Sequence, residues 1–248
     1  MVLTGAAGGI GAPTAKALAA AGARLLLVGR DGARLEALAG PLGAAWLAAD
    51  LTTPEGIEAV RRAALEQDAN VLVNNAGIAS FGRLESLDPA HLVSVIETNL
   101  VAPMLLTRAL LPGLQRQREA AVIHVGSVLG RLGLPGFSVY SAAKFGLRGF
   151  SEALRRELAD TSVKVQYLGP RVTATGFNSA EVEAYNRATR TAADRPEAVA
   201  QALVALLESG RAERFLGFPE KFAVRLNGAA PAALDGAFER HRRALAPS

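Results

Sequence analysis

At 248 residues the chain is long enough to bury the core of one α/β unit, and a composition that is 50% hydrophobic and 20% charged excludes a disordered polymer. The absence of cysteine excludes disulfides and thiolate-held metal and suits a reducing, cytoplasmic compartment; His91, His124 and His241 lack the spacing of metal ligands. A formal charge of +4, with no basic run interleaved by aromatics, reads as an arginine-rich surface and not as a nucleic-acid footprint.

No apolar run reaches the roughly 18 residues that a membrane span needs, and no basic segment ahead of an apolar run marks a signal peptide. Residues 1–4 read as a brief strand, and 13–21 as a helix that tolerates Pro13 in its first turn. A strand over 24–28, a helix over 32–39 and a weak strand over 45–49 follow, then a helix over 55–67 and a strand over 71–74. Residues 88–114 read as one long helix bent at Pro103, followed by a strand over 121–125, a long helix over 138–159 and a strand over 163–168. The polar segment 177–195 breaks the rhythm and reads either as a substrate lid or as a plain surface loop with a helical turn. A helix over 196–207 and a short strand over 214–217 precede an amphipathic extension over 219–248. Strands separated by helices of ten or more residues imply parallel crossovers. Continuous apolar strands imply a sheet covered on both faces. The expected fold is therefore α/β, a doubly wound parallel sheet with helices on both faces, in a single domain over residues 1–248.

Candidate chemistry sits after several of these strands. Thr4-Gly5-Ala6-Ala7-Gly8-Gly9-Ile10-Gly11 is a glycine-rich turn between a strand and a helix. Such a turn lets the backbone approach a pyrophosphate, and the free N–H groups of the helix start favour that anion. Gly5, Gly8, Gly9, Ile10 and Gly11 are therefore candidate dinucleotide contacts. The next strand ends at Gly29-Arg30, where dinucleotide folds often place a carboxylate for the ribose 2′-hydroxyl. A guanidinium there suits a 2′-phosphate instead, so NADP(H) is expected ahead of NAD(H); as a bare surface residue Arg30 says nothing. Asp50 and Leu51 end the third strand and Asn75, Ala76 and Gly77 the fourth, at the edge where parallel sheets bind ligands. Asp50 is placed to meet adenine. Ser127 follows a later strand, and Tyr140 and Lys144 stand four apart on one helix face. A neighbouring ammonium stabilises a phenolate and lowers a pKa that is otherwise near 10.

Taken together, these motifs resemble the short-chain dehydrogenase/reductase family. The Thr-Gly-x-x-x-Gly-x-Gly turn at Gly5/Gly9/Gly11, the Asn-Asn-Ala-Gly run at 74–77, and Asn99, Ser127, Tyr140 and Lys144 occur in the family's order, over residues 1 to about 217. The resemblance implies a Rossmann fold and a nicotinamide cofactor that carries the hydride. It implies Tyr140 as general acid in reduction and base in oxidation, with Lys144 lowering its pKa and holding the nicotinamide ribose. Ser127 would orient the substrate carbonyl, and Asn99 would support a water chain to Lys144. Thr173 and Thr175 fall where relatives contact the carboxamide and phosphate.

Three positions depart from the family pattern. Gly8 stands where many NADP-dependent relatives carry a basic residue, so the 2′-phosphate preference rests on Arg30. Pro170-Arg171 replaces the usual Pro-Gly, so the local path differs or Arg171 reaches cofactor or substrate. The third is the extension, which is not glycine-rich: Phe218, Phe222, Val224, Leu226, Leu234 and Phe238 lie among Arg225, Arg240, Arg242 and Arg243. It reads as a segment packed on its own domain or a partner subunit, ahead of peripheral membrane contact. The expected function is reduction of a small-molecule ketone or aldehyde, of apolar character, to an alcohol by an NADP(H)-dependent homo-oligomer, a dimer ahead of a tetramer. Val128, Leu129, Leu132, Leu134, Phe137 and the 177–195 segment would line the substrate pocket. The alternatives are an NAD-dependent alcohol dehydrogenase and a non-catalytic dinucleotide-binding regulator at a lipid surface.

Overall fold

Runs of branched and aliphatic residues form the strands because each central strand is covered on both faces. The computed structural model describes residues 1–218 and 220–245, with the backbone alone at 220–222, 225, 229, 231 and 233. Its strands are β1 (Val2–Thr4), β2 (Leu26–Gly29), β3 (Ala45–Ala48), β4 (Val71–Asn74), β5 (Ala120–Val125), β6 (Val163–Gly169) and β7 (Glu213–Phe215). Among the described residues they make one seven-stranded, all-parallel sheet in the order β3-β2-β1-β4-β5-β6-β7. This is the Rossmann-like, doubly wound arrangement.

The helices are α1 (Gly11–Ala20), α2 (Gly32–Leu42), α3 (Pro54–Glu66), α4 (Pro89–Ile96), α5 (Ala102–Leu114), α6 (Ser138–Glu157), α7 (Ala180–Thr189) and α8 (Pro196–Ser209). After β7 come α9 (Glu220–Ala229), a 3-10 stretch Pro231–Phe238 and α10 (Glu239–Arg243). Leu18 of α1, Leu35 of α2 and Leu203 of α8 pack with Leu3, Leu27 and Ile123 on one face of the sheet. Val60 of α3, Leu106 and Leu110 of α5 and Leu154 of α6 pack with Val2, Leu72 and Val122 on the other. The edge strand β3 is mostly exposed, and Trp46 within it is 40% exposed, which is why its apolar signal is weak.

Two sequence expectations change here. Pro89–Leu114 is one continuous helix of 26 residues, long and apolar enough by length and composition to cross a membrane, although it carries Glu97 and Arg108. In this fold Ala102, Leu106, Leu110 and Leu114 on one side of it are buried against the sheet. Its irregularity lies at a π-helical segment, Glu97–Val101, ahead of Pro103 and not at it. Pro103 lies inside this continuous helix and, having no N–H, cannot donate to the carbonyl four residues back, that of Asn99. The helix widens where that donor is missing. The 177–195 segment, in turn, is not a plain loop. Ser179 caps α7 by accepting from Val182 N at 3.3 Å, and Arg190 ends it in a left-handed conformation.

β1 leads outward to β2 and β3, whereas β4 leads the other way to β5, β6 and β7. The connections leaving β1 and β4 therefore diverge, and the crevice between their carboxyl ends is where such a sheet takes a ligand.

Candidate active site

The crevice is closed from below by two interlocked turns. Gly5 turns the chain out of β1 at φ +60°, and a Cβ there would lie 2.8 Å from Ala76 Cα. Only glycine allows both that dihedral and that approach. Thr4 Oγ1 accepts from Asn75 N at 2.9 Å and Ala76 N at 3.0 Å, while Asn75 Nδ2 donates to Thr4 O at 3.0 Å and Gly5 O at 3.2 Å. Gly9 carries no side chain because Thr175, from the segment after β6, occupies the space, 2.4 Å from where its Cβ would be. Gly11 begins α1 beneath the turn.

Above them lies a cavity of about 550 Å³, within the range of ligand sites. Of the candidates from sequence, Gly5, Gly8, Gly9, Ile10, Arg30, Asn75, Ala76, Gly77, Ser127, Tyr140, Lys144, Pro170, Thr173 and Thr175 line it. One end also holds Asp31 and Arg34, which sequence reading missed; Arg34 Nη2 donates to Ala7 O at 2.9 Å. Arg34 lies in the first turn of α2, which Asp31 caps, so the start of the helix brings a second arginine near Arg30. The other end is walled by Val128, Leu129, Leu132, Leu134 and Phe137, with Phe177, Val182 and Tyr185 from the 177–195 segment. A glycine cradle without Cβ atoms beside an apolar end fits the pyrophosphate and nicotinamide-facing parts of a dinucleotide.

Five candidates stand outside the cavity lining. Asp50 accepts from Thr52 N at 2.9 Å and Thr52 Oγ1 at 2.8 Å, bonds that hold its carboxyl below the usual range, with Arg30 adding to the effect. Leu51 packs against the core between sheet and α3. Gly11 lies under the turn. Asn99 is 1% exposed in the π-helical segment; its Oδ1 accepts from Ile78 N and its Nδ2 donates to Ile78 O, both at 2.8 Å. Its side chain thus secures the loop after β4 instead of opening to the cavity. Arg171 turns to Asp194, with Nε and Nη2 at 3.0 and 2.8 Å from Oδ1. That pair adds to a bridge between Thr173 and Asp194 that closes the base of the 177–195 segment.

α6 carries Tyr140 and Lys144 on one face. Lys144 is 4% exposed, and its Nζ donates to Val125 O at 3.2 Å and lies 5.6 Å from the centre of the Tyr140 ring. Burial pushes its ammonium down to about 8. Burial pushes the Tyr140 phenol above its ordinary value, and a hydrogen bond with Ser127 opposes that rise. Ser127 Oγ also accepts from Leu129 N at 3.1 Å, which starts the 3-10 turn Val128–Gly130. The arrangement offers a hydroxyl pair at the carboxyl end of β5, facing an apolar chamber, with a buried amine behind it. Such a pair can hold a carbonyl oxygen and deliver a proton to it.

The C-terminal extension folds back on this chamber. Val224 is buried, and Leu234 and Phe238 pack with it against Val128, Leu129 and Leu132. Phe218 and Leu226 remain exposed. Arg240 Nε donates to Ala188 O at 3.0 Å, Arg242 Nη1 to Asp235 O at 3.1 Å, and Arg243 pairs with Glu239. The side chains of Phe222 and Arg225 lie outside the described residues.

Residues 1–186 match the family model described as short chain dehydrogenase. The chain is similar to dehydrogenase/reductase SDR family member 7B of Bos taurus, 32% identical over 251 residues that cover 93% of this chain and 77% of that protein. It is 34% identical over 183 residues to 3-oxoacyl-(acyl-carrier-protein) reductase of Vibrio cholerae, covering 72% of this chain and 75% of that one. Its backbone follows that of a short-chain dehydrogenase from Sphingobium yanoikuyae, solved in complex with NADPH, with a TM-score of 0.78, 30% identity and 94% coverage of each chain.

Proposed function

This chain belongs to the short-chain dehydrogenase/reductase family, and from that premise we propose that it reduces an apolar ketone or aldehyde with NADPH. Its class of chemistry is oxidoreduction between carbonyl and alcohol with a nicotinamide dinucleotide. The observation that carries the finer reading is a single cavity with Arg30 and Arg34 at one end and the Ser127–Tyr140 pair among apolar walls at the other. When bound, the dinucleotide supplies or takes the hydride. Arg30 and Arg34 would hold a 2′-phosphate, the turn from Gly5 to Ile10 the pyrophosphate, and Lys144 the nicotinamide ribose. Ser127 orients the substrate carbonyl, and the Tyr140 hydroxyl donates a proton to its oxygen. The apolar chamber excludes water from that proton transfer and selects against charged substrates.

The test is affinity for NADPH and NADH, with NADPH oxidation followed against a panel of apolar and charged carbonyls. Arg30→Ala is expected to weaken NADPH binding by about 10- to 100-fold, the worth of one charge-assisted contact, and to leave NADH binding unchanged. Tighter NADH binding by the wild type would favour an NAD-dependent alcohol dehydrogenase, the reading supported by Gly8 lacking a basic side chain.

A homodimer belongs to the same proposal. Val93, Val101, Met104 and Leu105 on the long α4–α5 helix and Phe145 on α6 are exposed apolar side chains, which supports self-association through that side of the molecule.

A further inference from the structure

We propose that Tyr167 is a positioning residue that fixes the main chain of Ser127, an assignment that rests on the reductase reading above. Tyr167 lies in β6 and is 2% exposed. Its hydroxyl accepts a hydrogen bond from Ser127 N at 3.0 Å and donates one to Ser127 O at 3.0 Å. On either side of Ser127 the main chain provides the partners: Gly126 N donates to Leu168 O and Val128 N to Pro170 O, each at 2.8 Å. At Ser127 itself a side chain takes over that task, just where β5 ends and the backbone must turn Oγ toward Tyr140.

The surrounding sequence makes room for this one phenol. A Cβ on Gly126 would lie 2.0 Å from Tyr167 Cζ and Oη, and a Cβ on Gly130 2.1 Å from Oη. Gly126 is therefore held to glycine by the tyrosine, and Gly130 by the tyrosine together with the Lys144 carbonyl, which a Cβ there would approach to 2.8 Å. Phe215 of β7 braces the ring, with centroids 5.8 Å apart. Without the hydroxyl, Ser127 N–H would lose the partner that holds it and Ser127 C=O would keep only Gly130 N, at 3.0 Å, and a buried peptide N–H in that state reorients to find an acceptor. Ser127 Oγ moves with it. The glycine turn, Arg30 and Arg34 are untouched, so dinucleotide binding is preserved while the reacting hydroxyls lose alignment.

Tyr167→Phe, made in the full-length chain, is expected to lower kcat by about 10- to 100-fold, as a displacement of the order of 1 Å does, with Kd for NADPH within about twofold of wild type. In a Ser127→Ala background the same substitution is expected to change kcat little, because the group it positions is gone. Losses that multiply in the double variant would mark a merely structural role and overturn the assignment, as would wild-type kcat in Tyr167→Phe. Should Tyr167→Phe fail to bind NADPH, Gly126→Ala carries the same comparison, since its methyl displaces the ring while keeping the hydroxyl. If neither variant binds NADPH, the tyrosine serves the fold as a whole and the assignment falls. A wild type that reduces no carbonyl sinks the reductase reading, and this proposal with it; a Ser127→Ala defect without a Tyr167→Phe defect sinks this proposal alone.

Discussion

Lys144 is an ammonium set where charge is disfavoured. Its proton is held less tightly in the folded chain, at about 8, than in an unfolded one, at 10.5. Between those values the unfolded state binds more protons, so this group makes folding stability rise with pH from about 8 to 10.5 and leaves it reduced below that window. Replacing it with a neutral side chain of similar length, Lys144→Met, should raise stability at pH 7 by up to about 3 kcal/mol, with the gain shrinking toward pH 10.5. Urea unfolding at several pH values measures this, and a gain independent of pH would contradict it. Asn99 behaves oppositely. Asn99→Ala leaves Ile78 N–H and C=O without the side chain that satisfies them, at roughly 1–3 kcal/mol for each group, and should destabilise the protein accordingly in the same assay. Tyr140 and Lys144 were readable from their spacing of four, because shared helix faces are a property of sequence. Tyr167 was not, because in a strand of Val, Gln and Leu it reads as one more core aromatic. Its partner is a backbone, which leaves no residue type to recognise. Arg171 misled for a related reason: a cation near a cofactor loop suggests an anion, and the carboxylate it meets lies 23 residues away.

At the scale of elements, the segment between β6 and α8 is organised by its base. The Thr173–Asp194 bridge, Asp194 N donating to Val172 O at 2.8 Å, Ala174 N donating to Asp194 O at 3.0 Å and the Arg171–Asp194 pair draw its two ends together. α7 is thereby held over the cavity, where Val182 and Tyr185 form part of the wall. Asp194→Asn should keep the backbone bridge while weakening the ion pair. It is expected to raise KM for carbonyl substrates several-fold with a smaller effect on kcat, and to increase amide exchange within Ala180–Thr189. Unchanged exchange and KM would show that the backbone bridge alone holds α7. The sequence left this segment open between lid and loop because its apolar positions are few and dilute; Val182, Tyr185 and Thr189 are its buried residues. The long helix was legible in its ends but not in its π-helical interior, since Pro103 signals a missing donor without saying where the backbone absorbs it. The weak reading of β3 has an equally plain cause, an edge strand with one side of its sequence in water.

For the molecule as a whole, the parallel, doubly wound sheet followed from alternation alone, because continuous apolar strands separated by long helices admit few other folds. Strand order did not, since pairing is decided by crossovers that no local pattern records. The exposed apolar side chains on α4, α5 and α6 give the dimer proposal a direct check. Wild-type protein should sediment as a dimer, and Leu105→Glu should shift it toward monomer without loss of fold; a wild-type monomer at micromolar concentration would refute it. The central claim, however, is that this cavity joins a dinucleotide to a carbonyl through the Tyr140 hydroxyl. The most direct measurement is NADPH oxidation with an apolar ketone by the wild type and by Tyr140→Phe, after equal NADPH binding by both has been established. A fall of about 10² or more in kcat for the variant is predicted, the contribution of a positioned general acid. Equal turnover by the two proteins would contradict the account.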